Sequence, residues 1–251
     1  MEMIEHPPLL HIAAIPDHIF YTWIVMAILV AVSLVASRRV SLVPTGSQNF
    51  MEMVLEQFVK ELDETIGHEG RRYLPLITTL GLFILVSNLM GLVPGLVAPT
   101  ANLNTTAACA LIVFVTYHII GVRKQGFIAY LKHFAGPVPL ALKPLMFVIE
   151  IISHCARPLS LSLRLFGNMM AGHILLAIFF FMMGFDGMLG WALRGTLLGI
   201  IIGAPAAVIM VVFVVGFLLP LKILVAFIQT FIFCKLAMLY IAAAVEEAEH
   251  H

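Results

Sequence analysis

Charge is scarce in this sequence: Asp, Glu, Lys and Arg together make up 11% of 251 residues, and the formal net charge is zero. With no basic surplus, a nucleic-acid partner is excluded. Cysteine is equally sparse. The three present, Cys109, Cys155 and Cys234, are odd in number and lie in apolar segments, so neither a disulfide framework nor a paired-cysteine metal site is readable. No zinc-protease, nucleophile-elbow, phosphate-loop or dinucleotide fingerprint occurs. Asp17-His18 and His68-Glu69 lack a third ligand at metal spacing, so no metal or cofactor is expected. The first 18 residues hold no Lys or Arg. They therefore lack the basic start of a cleavable signal peptide and are expected to remain as an outer N-terminal segment.

What the sequence has in abundance is apolar surface, 61% of residues, far above an ordinary soluble domain. Several runs reach the roughly 20 residues needed to cross about 30 Å of hydrocarbon. The expected fold is an all-α integral membrane protein, one membrane domain over 1–251. Spans are predicted over Ile19–Ala36, Leu74–Val93 and Thr105–Ile120, followed by two much longer stretches, Leu140–Phe181 and Thr196–Val245. The turn between those two holds Gly184, Asp186, Gly187 and Gly190. Arg38, Arg39, Lys60, Arg71 and Arg72 follow the first span, and Arg123, Lys124, Lys132 and Lys143 follow the third. Both loops read as cytoplasmic. Five crossings result, with the N-terminus outside and the C-terminal EEAEHH inside.

Leu140–Phe181 is 42 residues, and as one helix it would extend about 60 Å, twice the hydrocarbon thickness. Two shorter spans would need a polar turn near the middle, where Pro158 is the one breaker. A steeply tilted hairpin over 140–245 fits better, with Pro158, Pro205, Gly216 and Pro220 as candidate kinks.

Residues 47–67 form a separate amphipathic surface helix. Met51, Val54, Leu55, Phe58, Val59 and Leu62 oppose Glu52, Glu56, Lys60, Glu61 and Asp63, with Asn49 and Glu52 spaced as a capping box. It lies on the membrane surface or packs against a partner.

The polar residues of the first long stretch carry the functional signal. Glu150, His154, Arg157, Leu161, Arg164 and Asn168 recur at steps of four and three, within a narrow arc of one helix face. His173 is nine residues past Arg164, which places it on the opposite side. Arg157 and Glu150 could snorkel or pair as structural ions. Arg164 is 25 residues into its segment and 17 from its end, too deep to snorkel easily. An arginine at mid-membrane costs about 2.5 to 3.5 kcal/mol on insertion scales, so such residues face a partner or a watery cavity. Arginine keeps its proton under essentially all conditions, which makes it a fixed cation rather than a proton carrier, and it would hold a nearby carboxylate ionised. In the second long stretch Lys222 and Gln229 share a face. The simpler reading of Gln229 is a bond between helices; Lys222 lines an aqueous path or caps a kink beside Pro220. Asn88, Asn102 and Asn104 sit where caps and turns are usual. His118 and His133 read as interfacial.

These residues resemble subunit a of F-type ATP synthases. The resemblance rests on "SLSLRLFGNMMAGH" and extends to "NLMGLVPG", "PTANLN" and "IQTFIF". It implies a non-catalytic, proton-translocating stator subunit of a bacterial inner membrane. Implied partners are the rotating c-subunit ring, peripheral-stalk b subunits and the lipid bilayer. Arg164 matches the essential arginine facing the ring carboxylate, Asn168 its neighbour, and Gln229 the glutamine of the fifth helix. Glu150 matches an acidic residue of the cytoplasmic half-channel. His173 matches an outer half-channel position held by Glu or His. The sequence departs from the family at Lys222, where relatives carry histidine or an acidic residue, and at Asn102, where some carry aspartate. Two readings of other classes compete. An ion-coupled transporter would bring inverted repeats with broken helices, and an intramembrane enzyme would bring a nucleophile and base; neither pattern occurs.

Overall fold

The computed structural model describes residues 16–38, 46–93, 95–127, 130, 139, 142–183, 187–194, 196 and 199–246. Every regular element among them is helical, and five helical stretches are long and apolar enough to cross a membrane. The protein is an all-α membrane protein. Helix α1 (Asp17–Ser37) leads to α2 (Ser47–Thr65), a 3₁₀ segment (His68–Tyr73) and α3 (Leu74–Met90). Then come α4 (Leu103–Gln125), α5 (Lys143–Met183), a short α6 (Met188–Leu193), and the fifth crossing. That last crossing is built from α7 (Ala204–Phe213) and α8 (Leu219–Glu246), with π-helical segments at Gly199–Gly203 and Val214–Leu218. Arg39, Lys132, His133, Gly184, Asp186 and the two chain ends lie outside the described residues.

Helix α5 runs 41 residues straight through Pro158. It therefore reaches about 60 Å and must lie oblique to a 30 Å hydrocarbon core. Its return partner is antiparallel: Leu176 clusters with Val214 and Leu218, Asn168 meets Gln229, and Arg157 lies over the Tyr240 ring. Gly190, expected in the turn, lies inside α6. π winding interrupts the fifth crossing at the expected places, over Gly199–Gly203 just before Pro205 and over Val214–Leu218, which contains Gly216 and ends just before Pro220.

The core lies between α3, α4, α5 and α8, where Ile84, Val113, Tyr117, Leu165, Phe233 and Ile241 are at most 2% exposed. Tyr21 and Val25 attach α1 to Met90. Outside this core the surface is greasy: Trp23, Val30, Phe181, Ile209 and Phe231 are all exposed. Such a surface is stable only in lipid, where apolar side chains meet their own kind and helices satisfy their own backbone.

Helix α2 neither floats free nor starts as expected. The capping box is not formed: the helix begins at Ser47 after Gly46, which places Asn49 inside it, and Glu52 accepts from the Gln48 amide at 2.7 Å instead. Leu62 is fully buried and Phe58 packs against the core. Glu61, on the expected solvent side, accepts from Lys235 of α8 at 2.6 Å, and Lys235 also donates to Thr65. The helix is thus docked on the chain's own bundle. It ends where Gly67 adopts φ +82, a left-handed conformation that glycine takes at no steric cost. Just outside it, Arg71 grips Asp63 with two bonds of 2.9 and 2.6 Å. That guanidinium holds the Asp63 carboxyl below its ordinary range.

Candidate functional site: a polar file along α5

The polar stripe of α5 does not present one uniform face. Leu161, at its middle, is 2% exposed and belongs to the core, whereas Arg164 is exposed. The seam divides into four settings, because neighbouring helices cover the stripe at different heights.

At the α2 end, Glu150 and His154 turn toward α4. Glu150 Oε1 lies 3.2 Å from His154 Nε2, the i,i+4 geometry of one helix turn. Of the two readings left open for Glu150 and Arg157, the ion pair is not formed: Glu150 pairs with His154 instead. His154 Nδ1 lies 3.2 Å from the Tyr117 hydroxyl of α4, and Arg157 sits 5.6 Å above the Tyr240 ring. His118, expected at an interface, is half-buried with its ring 5.3 Å from that of His154.

Midway, Arg164 makes no hydrogen bond or ion pair with any described residue. Beside it runs an open strip of small residues: Ala156, Ser160, Gly167 and Ala171 are all exposed, and a Cβ added to Gly167 would meet nothing within 4 Å. Spaced four, seven and four apart, they share one side of the helix. Another backbone can come close there.

One turn on, Asn168 Nδ2 donates to the buried Gln229 Oε1 at 3.5 Å, the long limit of a hydrogen bond. The bond between helices read for Gln229 is present, and it ties α5 to α8 directly beside Arg164.

At the far end His173 faces away from Arg164. Its Nε2 and the Nζ of Lys222 are both buried without a hydrogen-bond partner among the described residues. Glycines make the room: a Cβ on Gly91 would lie 2.8 Å from His173 Nε2, and one on Gly172 would lie 2.9 Å from Lys222 Cε. Asn88 Oδ1 accepts from Thr100 Oγ1 at 2.7 Å; the Asn88 amide nitrogen, Ser87 Oγ and Tyr21 Oη are buried and without a partner among the described residues. Asn102 acts as a cap, its side chain accepting from the Asn104 amide at 2.9 Å.

Sequence reasoning missed Tyr117 and Tyr240 at the α2 end. Their spacing marks them as core aromatics, and only the pairing of α4 and α8 with α5 brings them to the polar file. Among the described residues no three His, Cys, Asp or Glu side chains converge as metal ligands.

A bundle of five helices long and apolar enough to cross a membrane, with an exposed arginine and polar side chains along one of the long helices, defines a polytopic membrane protein. Residues 19–242 match the family described as ATP synthase A chain. The chain is 49% identical over 240 residues to ATP synthase subunit a of Geobacter sulfurreducens, covering 95% of this chain and 92% of that one. It is 50% identical over 232 residues to ATP synthase subunit a 2 of Syntrophotalea carbinolica, covering 92% and 87%. With the Trichlorobacter lovleyi subunit a it shares 46% over 241 residues, covering 96% and 92%. The chain belongs to the ATP synthase subunit a family.

Proposed function

We propose that the chain is the proton-translocating stator subunit of an ATP synthase membrane sector, in a bacterial inner membrane. The whole chain serves as one membrane domain, with the α2 end in the cytoplasm and the N-terminus outside. The observation that carries the reading is Arg164: a permanent cation exposed on an otherwise apolar surface, flanked by small residues and unpaired among the described residues of its own chain. Such a charge is tolerable only if a partner or water meets it. The matching partner is a carboxylate that arrives on a neighbouring helix, and the strip from Ala156 to Ala171 admits that helix closely. A ring of c subunits carrying such carboxylates fits, and b subunits of the peripheral stalk would hold this subunit against its rotation.

Protons enter from outside through the cluster of His173, Lys222 and the Asn88, Ser87 and Tyr21 groups, since buried polarity of this kind fills with water. They neutralise a ring carboxylate, which can then travel through lipid. After nearly a full turn it reaches Arg164, sheds its proton toward Glu150 and His154, and is held ionised. Asn168 and Gln229 steady the surface on which this happens. Because Arg164 keeps its own proton, it cannot short-circuit the two paths. Each charge crossing the full potential is worth about 2.3 kcal/mol per 100 mV, and the barrier makes that energy turn the ring. The subunit itself performs no bond chemistry.

The test is Arg164→Ala in the assembled complex, in inverted membrane vesicles. ATP-driven proton pumping should fall to background while the subunit remains in the complex. Pumping at the wild-type rate would overturn the assignment.

A further inference from the structure

The α2-end cluster has a directionality that charge matching alone does not require. His154 is held at both ring nitrogens: Nε2 by Glu150 Oε1 at 3.2 Å and Nδ1 by the Tyr117 hydroxyl at 3.2 Å. An ionised carboxylate only accepts, so the Nε2 proton points at Glu150 and Nδ1 is left to accept from the tyrosine. The hydroxyl, the imidazole and the carboxylate therefore form an ordered file that leads from the buried core to the half-buried Glu150, one turn nearer the α2 end.

We infer that Tyr117, His154 and Glu150 form a proton wire through which protons leave toward the cytoplasm, with His154 as the obligatory carrier. The inference rests on the stator reading above and specifies its inner path. A proton reaching Tyr117 Oη displaces the hydroxyl proton onto His154 Nδ1. The Nε2 proton passes to Glu150 Oε1, which releases it to cytoplasmic water. One proton enters and one leaves, and the file resets when the ring proton moves from Nδ1 back to Nε2, a tautomer exchange.

The surroundings keep the proton moving. Facing His154 are Glu150 and Arg157 on α5, Tyr117 and His118 on α4, and Tyr240 on α8, beneath the Arg157 guanidinium. His118 Nδ1 donates to the Phe114 carbonyl at 2.9 Å, which can only accept. A lasting charge on His154 would be opposed by Arg157 and relieved only by Glu150. The ring therefore passes a proton on rather than storing it.

The test uses the whole ATP synthase in inverted vesicles, with assembly checked by the amount of subunit retained. His154→Ala should slow proton flux by about a hundredfold or more, since water offers only a slower bypass of a positioned carrier. Imidazole supplied on the cytoplasmic face should restore much of it. Tyr117→Phe keeps the ring packing against Phe114 and Tyr240 and removes only the hydroxyl; it should also slow flux and shift its dependence on cytoplasmic pH. Unchanged flux in His154→Ala would overturn the wire. So would a loss that imidazole does not rescue, accompanied by wild-type flux in Tyr117→Phe, since His154 would then be packing. Either result would leave the stator reading standing if Arg164→Ala still abolished pumping.

Discussion

Gly172 of α5 lies directly beneath the Lys222 side chain of α8, so that a Cβ added there would come within 2.9 Å of Lys222 Cε. Gly91 bears the same relation to His173, but a Cβ on it would also meet Ala98 Cβ at 2.7 Å. The two glycines should respond differently to alanine. Lys222 is flexible and can swing aside, so Gly172→Ala should change stability little. Ala98 is a short side chain on a buried backbone and cannot move, so Gly91→Ala should cost about 1 to 3 kcal/mol, as overpacking does. Thermal unfolding of the purified complex in detergent checks the difference; equal shifts would contradict it.

Much of this arrangement was legible from residue patterns, and the limit of legibility has a physical cause. The five crossings follow from hydropathy, because only continuous apolar helices satisfy a backbone in lipid. The oblique α5 follows from length alone. Periodicity correctly separates His173 from Arg164. What periodicity cannot supply is which helix covers each height of the stripe. Leu161 therefore read as part of a polar face when it is core, Glu150 read either as snorkelling or as a partner of Arg157 when His154 takes it, and Tyr117 did not read as a site residue. The docking of α2 was hidden for the same reason, since Glu61 looks solvated until Lys235, 174 residues away, is brought beside it.

The Lys235 to Glu61 bond predicts how α2 is held. The pair is partly buried, at 34% and 18% side-chain exposure, and a second bond to Thr65 orients the ammonium. Lys235→Met should preserve the packing of Leu62 and Phe58 while weakening the dock by about 1 kcal/mol, the upper range for a partly exposed pair. Hydrogen exchange of the α2 backbone amides should accelerate accordingly in detergent. An unchanged exchange rate would mean that the apolar contacts alone hold the helix.

The Asp63 to Arg71 pair carries a pH signature with a definite sign. Arg71 holds the Asp63 carboxyl below its ordinary value of 3.8, so folding favours the ionised form. The contribution is fully present above 3.8 and is lost as pH falls from there through the lowered folded value. Asp63→Asn should flatten the acid limb of stability at low salt by lowering neutral stability toward the acid value, and added salt should shrink the difference, because an exposed pair is screened by ions. A mutant with the same acid limb as the parent would show that other carboxylates control it.

Asn168 and Gln229 test whether the α5 to α8 contact beside Arg164 is structural or serves the charge. A bond of 3.5 Å is weak, and side-chain bonds between membrane helices contribute about 0.6 kcal/mol on average. A double-mutant cycle with Asn168→Leu and Gln229→Leu should therefore give a stability coupling of about 0.6 kcal/mol or less. Function should respond more strongly. The same amides border the place where a ring carboxylate would meet Arg164, and leucine removes their polarity at that height. Proton pumping should drop further in either single mutant than the loss of folded protein explains. If pumping instead tracked the amount of folded complex in all three variants, the amides would be structural alone, and Arg164 would hold its partner without them.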